Sequence, residues 1–204
     1  MPKALIFIFS LIIISFPFTT WAQEKIPDED VKTWTQKAAA SVMTFGFHNY
    51  DKKLIENRKF FTLEGYQNFM IALSRSKTIE NVHKNQSIIN AKVMCFPRIT
   101  KQEKESWTLM FPFSKTYSNS AGDDAFYSNA EMTVKYDENV ENDMHLGIVQ
   151  WVETTLSKEE AEKCDPEEQK KAKIGQLQRE IEWFEEQIEK NRKKIEKIKL
   201  EQKP

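Results

Sequence analysis

The groups able to do chemistry are few and scattered. The chain has three histidines, His48, His83 and His145, and none stands at metal-ligand spacing from a second ligand, as in His-Glu-x-x-His. His48 lies among aromatics, a setting for packing or surface exposure rather than catalysis. Asp123-Asp124 follow Gly122 and could be taken for a paired carboxylate, but Gly and Asp are turn formers, and a solvated turn accounts for them. There is no Gly-x-Ser-x-Gly, no Cys-x-x-Cys and no phosphate loop. The sequence indicates no catalytic residue, no metal and no cofactor, and the protein is expected to be non-enzymatic. Formal net charge is -1, and glutamates surround the basic run Arg192-Lys193-Lys194, so nucleic acid is not an expected partner.

Two cysteines remain, Cys95 and Cys164. Their meaning depends on the compartment, which the N-terminus addresses. Lys3 precedes an apolar run from Ala4 to Phe16, Pro17 breaks it, and Thr20-Trp21-Ala22 offers a cleavage site. Residues 1–22 are expected to be a signal peptide. The alternative is an uncleaved anchor, since 4–22 approaches the roughly 20 residues that span a bilayer. Either way the rest is exported: periplasmic, or facing the periplasm from the inner membrane. An oxidising compartment permits a disulfide, so Cys95–Cys164 is the candidate bridge, with two unrelated thiols as the alternative.

Between the two ends, residues 28–156 are expected to form one α+β domain. Its helices occupy 28–85. Val31, Trp34, Ala38, Val42, Phe45 and Asn49 recur at steps of three and four, a stripe expected to run on through Tyr50 and Leu54. Thr62 is placed to cap a second helix carrying Tyr66, Phe69, Met70 and Leu73. The period then changes to two, and strands are expected over 87–155. Pro112 suggests an edge or bulge. Leu146–Val152, apolar on both faces, suggests the middle of the sheet. Helices followed by consecutive strands imply α+β with an antiparallel sheet.

Trp34 and Ala38, then Phe47-His48-Asn49-Tyr50 and Leu54, then Phe61-Thr62-x-x-Gly65-Tyr66-x-x-Phe69-x-x-Ala72-Leu73, resemble the DotI/IcmL/TraM family. These are inner-membrane components of type IVB secretion and related conjugation machines. Trp107-x-Leu109-x-Phe111-Pro112 and Gln150-Trp151-Val152 continue the likeness, which covers about 31–155. It implies a periplasmic nuclear-transport-factor-2-like domain, with helices packed on a curved antiparallel sheet of about four strands. It also implies an assembly role without catalysis, with secretion-system subunits as partners. The apolar segment begins at Ala4 and the chain carries an added C-terminal coil, so the resemblance is closest to an exported accessory paralogue.

Residues 157–204 form the expected helical tail, with a coiled coil over 168–203. Ile174, Leu177, Ile181, Phe184, Ile188, Asn191, Ile195 and Ile198 alternate steps of three and four as an a/d seam. Glu180 and Glu185 flank it early; Arg192, Lys194 and Lys199 flank it late. A parallel in-register pair would set Glu180 against Glu185 and Lys194 against Lys199, so antiparallel self-association or a heterotypic helix is favoured over a solitary charged helix.

Three function classes follow. The first is a structural component acting through protein contacts. The second is a periplasmic small-molecule-binding module or enzyme using a helix–sheet cavity. The third is a coiled-coil adaptor.

Overall fold

Alternation along one strand decides where the core lies. Trp107, Leu109, Phe111 and Phe113 fall on a single face and are all buried. Each contributes about 1.5–3 kcal/mol on leaving water. In the computed structural model, which describes residues 26–201, that face is covered by helices. The proposed signal or anchor at 1–22 lies outside the described residues.

The elements run α1 (Asp28–Val42), β1 (Phe45–Gly46), α2 (Tyr50–Asn57), α3 (Leu63–Arg75), α4 (Thr78–Lys84), β2 (Ile88–Val93), β3 (Arg98–Glu103), β4 (Ser106–Asn119), β5 (Gly122–Tyr136), β6 (Leu146–Thr155), α5 (Lys158–Ala161) and α6 (Pro166–Glu201). All strand pairs are antiparallel, in the order β1-β2-β4-β5-β6, with β3 also paired to β4. β5 pairs along the whole of β4, so β2 and β3 follow one another along its other edge. The sheet has six strands rather than about four. β1 and β3 are the additions, one too short and the other too polar to carry an alternating pattern.

The main core joins α1, through Val31, Ala38, Ala39 and Val42, to Ala130, Met132 and Val134 of β5 and Leu146 and Ile148 of β6. A second cluster holds Phe45, Val82 and Ile89. At the entry to α1, Trp107 Nε1 and Gln102 Nε2 both donate to Asp28 Oδ1, at 3.3 and 3.0 Å, fixing the helix start to the sheet.

Three expectations are corrected. The first helix does not continue through Tyr50. It ends at Val42 because Thr44 turns the chain: its hydroxyl donates to Ala40 O at 2.7 Å and accepts from Ala91 N at 3.1 Å. Phe45 and Gly46 then pair with Ile89 and Ile88, and Phe45 enters the second cluster. Pro112 is not at an edge or bulge of β4, which is a central strand. It faces the gap between the partners Val93 and Arg98, where its carbonyl accepts from Met94 N at 2.8 Å. β6 is not in the middle; it ends the sheet. Its first half is apolar on both faces because Phe61 forms a parallel bridge to Ile148 and α3 lies over it.

Candidate functional site

The family-motif residues converge on that covered stretch of β6. Thr62 caps α3: its hydroxyl accepts from Gly65 N at 3.1 Å, and its own N–H donates to Ile148 O at 3.2 Å. A side chain at Gly65 would overlap the Ile148 carbonyl, and one at Gly147 would lie 2.7 Å from Thr62 N. Backbone therefore meets backbone across two glycines. Phe61 stacks on Phe69 at 4.8 Å and meets Tyr66 edge-on at 5.9 Å. Tyr66 donates its hydroxyl to Leu54 O at 3.3 Å. Leu73 is buried beneath α3, and Ala38 is buried under α1. Trp34 meets Phe60 edge-on at 6.1 Å. Phe47 and Tyr50 belong elsewhere, packing on the second cluster. The motif is thus occupied in docking helices onto the sheet.

The polar candidates stay apart. His48 lies in the turn before α2, against Phe47. His83 packs edge-on against Tyr50 at 4.6 Å. His145 Nδ1 lies 3.1 Å from Val140 O. Asp123 and Asp124 pair with Ser118 and Tyr117 at the exposed hairpin end. Among the described residues no group of three or more His, Cys, Asp or Glu is placed to hold a metal ion.

Sequence reading missed one polar cluster. Below α3 and α4 the concave face turns from apolar to charged. Lys115 Nζ lies 2.7 Å from Glu153 Oε2, and Ser128 Oγ donates to the same oxygen at 2.9 Å. The strand alternation contained the signal, since Phe113 and Lys115 share a face. The pairing partner is 38 residues away and appears only in the folded sheet. Burial, then the Glu153 charge, raises the Tyr117 hydroxyl above its usual range. A cleft of about 340 Å³ lies between α3 and this patch, lined by Phe69, Trp151 and Lys115 among others. Trp151 Nε1 is buried there without a hydrogen-bond partner.

Residues 16–155 match the family model of the type IVb secretion system inner-membrane complex component, DotI/IcmL. The chain belongs to that family. Solved structures agree on the fold. An IcmL-like type IV secretion system protein from Legionella pneumophila subsp. pneumophila str. Philadelphia 1 is 20% identical, with TM-score 0.61, covering 65% of this chain and 95% of that one. The periplasmic domain of DotI is 24% identical, with TM-score 0.61, covering 65% and 98%. A periplasmic fragment of TraM is 16% identical, with TM-score 0.58, covering 65% and 100%. No match was found among curated proteins.

The DotI/IcmL match stops at Thr155, where the tail begins. Ser157 opens it with a capping box: Glu160 N donates to Ser157 Oγ at 3.2 Å, and Ser157 N donates to Glu160 Oε2 at 2.9 Å. Those bonds hold the Glu160 carboxyl below its usual range, the backbone N–H of Ser157 first. Ala161 is fully buried, and Cys164 is disulfide-bonded to Cys95, with Cα atoms 5.3 Å apart. The root of α6 is therefore fixed to the end of β2. α6 then leans on α1. Arg179 donates to Thr33 Oγ1 at 2.8 Å and lies 3.6 Å from Asp30, and Lys32 lies 3.9 Å from Glu168. Gln169, Ala172, Gln176, Arg179 and Trp183 line the groove towards α1, and the seam residue Phe184 stands at its edge. The a/d positions Ile174, Leu177, Ile181, Phe184, Ile188, Ile195 and Ile198 are exposed large hydrophobics. Apart from Phe184, most are turned away from the groove-lining residues by about a third of a turn or more, as 100° per residue requires.

Proposed function

We propose that this DotI/IcmL-family protein is an exported, non-enzymatic accessory component of a type IVB-like secretion or conjugation machine, working through protein contacts. It is retained in the periplasm or anchored on the periplasmic side of the inner membrane by residues 4–22. One observation carries the reading. The family match spans the whole helix–sheet body, and the motif residues within it are consumed by packing. Such a body offers surface rather than chemistry. Among the described residues no helix is long and apolar enough to cross a membrane. Affinity purification from the native envelope tests this, using the full chain and a version ending before α6. Co-purification of secretion-machine subunits supports it; recovery of the protein without any of them overturns it.

A second reading rests on Trp151. Its buried indole N–H has no acceptor, and it lines the cleft near Lys115 and Glu153. A small molecule with an apolar ring and one acceptor fits that environment. The Lys115–Glu153 pair neutralises itself, so the cleft presents no uncompensated charge to attract a ligand. Intrinsic tryptophan fluorescence of the wild type and of Trp151→Phe, titrated with a library of small aromatic acids and amides, separates the readings. A saturable change lost in the variant supports the ligand site, and no saturable change removes it.

A further inference from the structure

α6 exposes its apolar seam while a neighbouring side is engaged on α1, with Phe184 at the border between the two. Beyond Phe184 every described side chain up to Lys199 is exposed except Gln187, which is half-buried. The 17 residues Glu185–Glu201 form an overhang about 25 Å long. Ile188, Ile195 and Ile198 on this part, and Ile181 and Phe184 in the turn just before it, are 52–58% exposed. An a/d row this regular needs a partner to cover it.

The charges identify the partner and its direction. They fall in three blocks. Residues 170–179 carry four basic groups and no acid; 180–189 carry five glutamates and no base; 190–199 carry six basic groups and one glutamate. The first block lies along the body, where Arg179 is engaged with Asp30. The second and third are each other's complement, so the helix is complementary to its own reversed copy about a point between Glu189 and Lys190.

We propose that residues 181–198, most of the overhang together with the turn before it, pair with the same segment of a second copy, antiparallel, with the two-fold axis between residues 189 and 190. Position a then meets position d of the partner throughout: Ile181 meets Ile198, Phe184 meets Ile195 and Ile188 meets Asn191. Glu185 lies across from Arg192. Both Asn191 side chains fall in adjacent layers at the axis, where a polar seam residue costs stability and selects register. Sliding the centre back one half-heptad would set basic 170–179 against the basic C-terminal end, and in-register parallel pairing would set Glu180 against Glu185. Within each helix, Glu186–Lys190 at 3.9 Å and Glu189–Lys193 at 3.6 Å occupy outer positions and leave the seam clear. Ile174 and Leu177 fall outside the pair. The two bodies end up at opposite ends of the coil, so the arrangement holds whether or not either body joins a secretion machine.

Sedimentation velocity on the full-length protein isolated from the envelope tests the pairing. A reversible dimer with a dissociation constant on the order of 10 µM is expected. Glu185→Lys should raise that constant about fivefold, and Glu185→Arg combined with Arg192→Glu should restore it. A photo-crosslinking residue at position 198 should join peptides containing residue 181 of the second copy. Circular dichroism controls for helix loss in the variants. A protein monomeric at about 100 µM, tighter association of Glu185→Lys (the parallel outcome), a 198-to-198 crosslink, or a crosslink to a different protein each overturns the proposal.

Discussion

Gly65 carries more of the fold than its size suggests. Its missing side chain lets α3 rest on the backbone of β6, and the occluding atom is a carbonyl oxygen that cannot rotate away. Gly65→Ala is therefore expected to cost about 3 kcal/mol, at the upper end of overpacking effects. Urea unfolding read by tryptophan fluorescence measures it, and a loss under 1 kcal/mol would show that α3 can lift off without penalty. Lys115 and Glu153 give a second prediction. Their side chains are 18% and 24% exposed, so removing one leaves the other poorly solvated. Lys115→Met should destabilise by about 2 kcal/mol, and adding Glu153→Gln should recover most of that loss. A double-mutant cycle in urea checks it; additive losses would mean the pair is not coupled. Glu160 supplies the pH dependence. Its carboxyl is lowered in the folded state, so its contribution is present above the ordinary unfolded value and disappears as pH falls through the lowered one. The difference in melting temperature between wild type and Glu160→Gln should shrink steadily as pH falls below about 5. A constant difference would assign the effect of Glu160 to its hydrogen bond alone.

Elements are tied together by short connections with large consequences. The Cys95–Cys164 bridge closes a loop of sequence separation 69 and holds the root of α6. Replacing both cysteines with serine should cost about 4 kcal/mol in the chain-entropy model. Differential unfolding under oxidising and reducing conditions tests this: wild type should lose the difference on reduction, whereas the double-serine protein should not respond. The existence of most elements was legible in the sequence, because period 3.6 and period 2 survive in the residues themselves. Their ends were less so. Val42 ends α1 because Thr44 bonds Ala40 and Ala91, and Ala91 is 47 residues further on. β6 looked central because its apolar content cannot reveal whether a strand or a helix supplies the cover. β3 was invisible because Arg98–Glu103 is exposed at nearly every position and carries no alternating apolar face.

The whole molecule is a family body with an added lever. α6 meets α1 through a few polar contacts, so the body should not need it. A chain ending at Asp165 keeps the disulfide and should unfold within about 1 kcal/mol of the full chain; a larger loss would make α6 part of the core. The sequence by itself determined the α+β class, the motif that places the body among DotI/IcmL proteins and the apolar three-and-four spacing of the tail. Each of these is written in local spacing or residue type. The Cys95–Cys164 bridge, in contrast, stayed one of two alternatives until the fold set the two residues side by side. Only the tertiary structure decided that β6 ends the sheet, that Gly65 and Gly147 meet across a backbone contact, and that Lys115 finds Glu153. It also decided which side of α6 the body occupies. Those facts depend on residues far apart in the chain, and spacing along a chain says which face a residue shares but not what will be packed against it.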